Sequence, residues 1–70
     1  MVKLVTRVKE ARQRMGMTQQ ALADQVGVRR ETILHLENGR YNPSLKLAMD
    51  ISAVFGRSVE MLFHFEEARE

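Results

Sequence analysis

Seventy residues without a cysteine leave room for one small hydrophobic core, and exclude disulfides and thiolate metal sites as its braces. Hydrophobic residues at 44% and charged residues at 29% are too apolar a mixture for a disordered chain. No apolar run approaches the roughly 18 residues of a membrane span, and the formal net charge of +2 taken whole is too small to name a polyanion as partner.

The four glycines and the single proline punctuate the chain at Gly16, Gly27, Gly39, Pro43 and Gly56, and the intervals between them read as short helices. In the first, Leu4, Val8, Ala11 and Met15 recur at the helical period with Val5 beside them, which predicts an amphipathic helix over about residues 3–15. The second starts at Thr18, whose hydroxyl can accept from a first-turn N–H, buries Leu22, Ala23 and Val26, and stops at Gly27. The third runs from about Arg30 to Glu37 with Ile33 and Leu36 inward and ends at Asn38-Gly39. After the loop Arg40-Tyr41-Asn42-Pro43, Ser44 caps a fourth helix to Phe55, with Leu45, Ala48, Ile51, Ser52 and Phe55 along one stripe. Ser58 caps a short fifth helix through Val59, Leu62 and Phe63. Strand-like alternation is confined to Met61–Phe65, where Phe63 and Phe65 flank His64. The expected fold is therefore all-α, a compact bundle of five short helices in one domain spanning residues 1–70. Met1 to Val8 carries Lys3 and Arg7 where a signal peptide would need an uninterrupted apolar stretch, so the expected location is cytoplasmic.

Charge is unevenly placed. Residues 1–46 hold nine basic side chains against four acidic ones, a net of +5, whereas residues 47–70 hold two against five, a net of −3. The first two thirds of the chain is thus the part suited to phosphates.

Within it, residues 18–39 read TQQALADQVGVRRETILHLENG. Two helices joined by a three- or four-residue turn can cross steeply only over a small residue and through a glycine, and Ala23 and Gly27 supply both. The stretch resembles the helix-turn-helix of the phage repressor and Cro type of DNA-binding protein. The likeness extends from about Arg7 to Phe63 and includes Met15-Gly16-Met17-Thr18-Gln19, Leu36-Glu37-Asn38-Gly39 and Pro43-Ser44-Leu45. It implies a helix-turn-helix of helices 2 and 3, with Arg30 to Glu37 lying in the major groove of double-stranded DNA. It further implies that Gln19, Arg40, Tyr41 and Asn42 meet the phosphate backbone and that Arg12 pairs with Glu37.

Arg29 and Arg30 stand out on separate grounds. A helix N-terminus carries roughly half a positive charge and prefers Ser, Thr, Asp or Asn as its cap, so two arginines there cost about 1 kcal/mol locally. A local rule broken without a folding benefit points to a functional site. Guanidiniums so placed suit phosphate or the O6/N7 edge of guanine. Glu31 can accept from a cytosine amino group or simply orient Arg30; Thr32 can touch a thymine methyl; His35 lies one turn beyond Glu31, within reach of a groove floor. Glu31 and His35 are two residues without a third of matching spacing, so no metal site is expected. Neither a cofactor nor a small-molecule ligand is implied, and the chain lacks the phosphate loop, thiol nucleophile and pocket volume of an enzyme.

A domain this small reads few base pairs, and two half-sites about 34 Å apart are usually read by a two-fold dimer. Leu47, Met49 and Val54 lie off the expected core stripe, and Met61, Phe63 and Phe65 exceed what a short terminal helix hides. The expectation is a homodimer through residues 44–66, with Leu47, Met61, Phe63 and Phe65 in the interface, repressing by occupying a palindromic operator. The competing reading is an antitoxin-like adaptor whose helix-turn-helix binds protein; it calls for an apolar or acidic outer face on helix 3, where Leu34 is the one apolar member.

Overall fold

The computed structural model describes residues 1–67, which run in the order β1 (Val2–Thr6), α1 (Val8–Arg14), α2 (Gln19–Val26), α3 (Arg30–Glu37), α4 (Leu45–Phe55), α5 (Val59–Leu62) and β2 (Phe63–Glu67). Five helices are present, but the all-α expectation is corrected by β1 and β2. These pair antiparallel into a two-stranded sheet that sets Leu4 opposite Phe65 and Thr6 opposite Phe63. The helix expected over residues 3–15 begins only at Val8. Val2, Val5 and Thr6 are β-branched and fit a strand better than a helix, while Leu4 faces the core in either conformation and so kept the helical spacing with Val8 and Ala11. The Arg7 N–H donates to the Leu62 carbonyl (2.9 Å), tying the start of α1 to the end of α5 where the sheet begins.

Each helix sends at least one fully buried side chain to a common centre: Val8, Leu22, Ile33 and Leu36, Ile51, and Leu62. Each such burial stabilises by roughly 1.5–3 kcal/mol relative to leaving the side chain in water. Hydroxyl caps fix where three of the helices start. Thr18 accepts from the Ala21 N–H (3.0 Å), Ser44 from the Leu47 N–H (3.1 Å) and Ser58 from the Met61 N–H (3.3 Å).

Two expected faces are rotated. In α4 the buried stripe is Leu47, Ala48 and Ile51, and Leu45 is 74% exposed. Residues two apart on a helix lie on opposite sides, so Leu45 and Leu47 cannot share the core, and Leu47 shares its side with Ile51 one turn on. Met15, expected inside, lies past the end of α1 and is exposed. The four expected interface residues differ in exposure. Leu47 is buried under α4, and Phe63, the first residue of β2, is buried against the core. Met61 and Phe65 stay outside, 59% and 60% exposed. Among the described residues no helix is long and apolar enough to cross a membrane.

Candidate nucleic-acid interface

α2 and α3 are joined by a turn of three residues, Gly27 to Arg29. Gly27 takes the left-handed conformation (φ +74°) that lets the chain reverse, and the Val28 N–H donates to the Ala23 carbonyl (3.0 Å) to close α2. α3 then lies with Ile33 and Leu36 fully buried, which leaves Arg30, Glu31 and His35 on its exposed side and Thr32 and Leu34 half-buried at the flanks. Arg29 is the N-cap, extended at φ −79° and ψ 153°, and its side chain makes no capping hydrogen bond. The Arg29 carbonyl accepts from the Thr32 N–H (3.0 Å), so the backbone is satisfied while the guanidinium stays free to project. Glu31 in the first turn offsets part of the helix dipole that both arginines oppose.

The back of α3 is held by a polar cluster. Arg12 on α1 donates through Nε to Glu37 Oε2 (2.7 Å) and through Nη2 to Glu37 Oε1 (3.2 Å), with side-chain exposures of 10% and 2%. Arg12 Nη1 donates in addition to the Met17 carbonyl (2.8 Å), a partner that residue spacing did not signal. Gln19 Nε2 donates to Glu37 Oε1 (3.1 Å). The expected phosphate ligand at the head of α2 is thus half-buried and held by one amide hydrogen, with the other amide hydrogen still available to an acceptor.

Beyond α3, Gly39 (φ +73°) turns the chain, and the Arg40 N–H donates back to the His35 carbonyl (2.9 Å). Arg40, Tyr41 and Asn42 are all exposed. Asn42 also borders an apolar groove with Leu4, Leu45 and Phe65. The arrangement presents guanidinium and imidazole donors on a helix whose opposite side is locked into the core, a geometry suited to polyanion recognition.

The family model described as helix-turn-helix matches residues 8–62. The chain belongs to this helix-turn-helix family. Its members are DNA-binding transcriptional regulators and not enzymes. The helix-turn-helix chain is 58% identical over 62 residues, 89% of its own length and 87% of the relative's, to an uncharacterised HTH-type transcriptional regulator of Archaeoglobus fulgidus. It is 44% identical over 61 residues to the Bacillus subtilis HTH-type regulator YgzD, covering 87% and 92% of the two chains. Among solved structures, the restriction-modification controller protein C.AhdI of Aeromonas hydrophila superimposes with a TM-score of 0.72 at 25% identity, over 79% of this chain and 83% of that one. A Bacteroides fragilis protein shares the fold at a TM-score of 0.77 over 87% and 98% of the chains.

Proposed function

We propose that the protein is a sequence-specific, double-stranded DNA-binding repressor in which α3 enters the major groove, with two copies occupying the half-sites of a palindromic operator. The observation that carries this reading is the division of α3. Ile33 and Leu36 are fully buried, while Arg29, Arg30, Glu31 and His35 are exposed and directed away from the core. On this reading Arg29, Arg30, Glu31, Thr32 and His35 read base edges, and Gln19, Arg40, Tyr41 and Asn42 fix the register on phosphates. Arg30 is the strongest candidate for a bidentate contact with guanine, because it opens the helix, where side chains approach the groove floor. On this reading repression follows from occupancy of the operator.

The two classes of contact separate in a binding experiment that varies both sequence and salt. Arg30→Ala should relax preference at one base-pair position per half-site, a loss of roughly 1–3 kcal/mol of discrimination, with the salt slope nearly unchanged. Arg40→Ala should weaken all sequences alike and reduce the slope of log K against log salt by about 1. Uniform weakening by Arg30→Ala, or no effect of salt on the parent protein, would defeat the proposal and favour a protein partner.

A further inference from the structure

Glu31 and Leu34 lie side by side on the outer half of α3, and neither is bound into the core. At about 3.6 residues per turn, Glu31 points roughly 170° away from the direction midway between the buried Ile33 and Leu36, so it stands at the centre of the exposed side. Its carboxylate takes part in none of the ion pairs among the described residues, whereas Glu37 on the same helix is held by Arg12 and Gln19. Leu34 follows three residues later, about 60° around the helix from Glu31 and about 4.5 Å further along it. It is half-buried, yet it lies outside the apolar cluster to which Ile33 and Leu36 belong.

On a face turned toward a polyanion, a bare carboxylate repels unless it accepts a hydrogen bond. The amino donors of the major groove are N4 of cytosine and N6 of adenine, and its apolar feature is the 5-methyl group of a pyrimidine. The arrangement of these groups distinguishes the bases. In 5-methylcytosine the methylated carbon adjoins the carbon that bears N4, so donor and methyl stand side by side on one base. A cytosine next to a thymine offers the same two groups on neighbouring bases, one step of about 3.4 Å apart. In an adenine–thymine pair the thymine O4 acceptor lies between amino group and methyl, where it would face the carboxylate.

We infer that Glu31 and Leu34 act as one reading element, in which Glu31 accepts from the N4 amino group of a cytosine and Leu34 covers the pyrimidine 5-methyl group beside it. The feature recognised is a methyl next to an amino donor, and methylation of that cytosine tightens binding wherever a neighbouring thymine does not already supply the methyl. Thr32 stands outside this element, because it lies about 160° around the helix from Leu34, on the other flank. The inference rests on the DNA-binding reading above and adds to it one residue, Leu34, and one chemical group.

The test uses the full chain and the duplex that it enriches from a random pool, remade with one methyl group changed at a time. Each thymine is replaced by deoxyuridine, which lacks only the 5-methyl group, and each cytosine by 5-methylcytosine. One position per half-site should respond by about fourfold, the worth of one buried methyl-sized group. Weaker binding when a thymine beside the cytosine loses its methyl assigns the group to thymine; tighter binding when the cytosine gains one assigns it to 5-methylcytosine. Leu34→Ala should bind the two forms alike, and Glu31→Ala should lose the preference for cytosine at that position. Since Leu34 lies outside the apolar cluster, Leu34→Ala should keep the helical circular dichroism of the parent, and the changes made on the DNA read the parent protein itself. Affinity that ignores every methyl change overturns the inference. So does a Leu34→Ala that weakens binding but keeps the fourfold ratio, which would make Leu34 a support for the stem of Arg30 one turn before it. A pool that enriches no sequence defeats the DNA-binding reading, whereas an enriched duplex indifferent to its methyl groups defeats the Leu34 assignment alone.

Discussion

At the scale of single residues, Arg12 and Glu37 decide how firmly α3 is held. Both side chains are almost wholly out of water, and the pair is completed by the Met17 carbonyl and the Gln19 amide. Coulombic attraction between two such charges roughly offsets the cost of desolvating them, so the pair as a whole contributes little net stability. Removing one member is different, because it strands the other. Glu37→Ala should cost about 3–5 kcal/mol in urea unfolding, whereas Arg12→Met combined with Glu37→Leu should recover most of that loss. Additive losses in the double variant would show that the cluster stabilises by direct attraction and not by mutual neutralisation. Gln19 is coupled to the same carboxylate, so the groups that anchor the fold also set the position of a proposed phosphate contact.

Among the elements, glycines at two turns differ in what surrounds them. Gly27 and Gly39 both have positive φ, at +74° and +73°, yet a Cβ at Gly27 would meet nothing within 4 Å while one at Gly39 would press on the Leu4 carbonyl. Gly27→Ala should cost the roughly 1–2 kcal/mol of the left-handed conformation. Gly39→Ala should cost clearly more, since β1 must also move away from the end of α3, and equal unfolding free energies for the two variants would contradict that packing. The helix-turn-helix was legible because its signals are local: Thr18, Ser44 and Ser58 each cap the helix that starts beside them, and Gly27 and Gly56 each close the helix that ends there. The sheet was not, because a strand's hydrogen bonds depend on a partner at the far end of the chain. Leu4 satisfied a helical spacing while serving a strand, and the one alternating segment, Phe63-His64-Phe65, had no visible partner. The α4 stripe was hidden for a related reason. Leu45 and Leu47 are equally apolar, and only the direction of the core distinguishes them. At the candidate interface, the exposed set on α3 followed from the burial of Ile33 and Leu36, but the capture of Gln19 by Glu37 required three helices to meet.

For the molecule as a whole, the net charge of +2 resolves into a basic part that contains α1 to α3 and an acidic part that contains α5 and β2. A field so divided draws a polyanion toward the helix-turn-helix and away from α5 and β2. The two parts of the chain then differ in role, the basic one being the part suited to DNA. This division of labour depends on the exposed side of α3 reading base sequence. Selection of bound duplexes from a random pool by the full chain is the sharpest test of that reading. Enrichment of one sequence arranged as an inverted repeat, with half-site centres about 34 Å apart, is the expected outcome. A pool that keeps its random composition through successive rounds at low salt would contradict it.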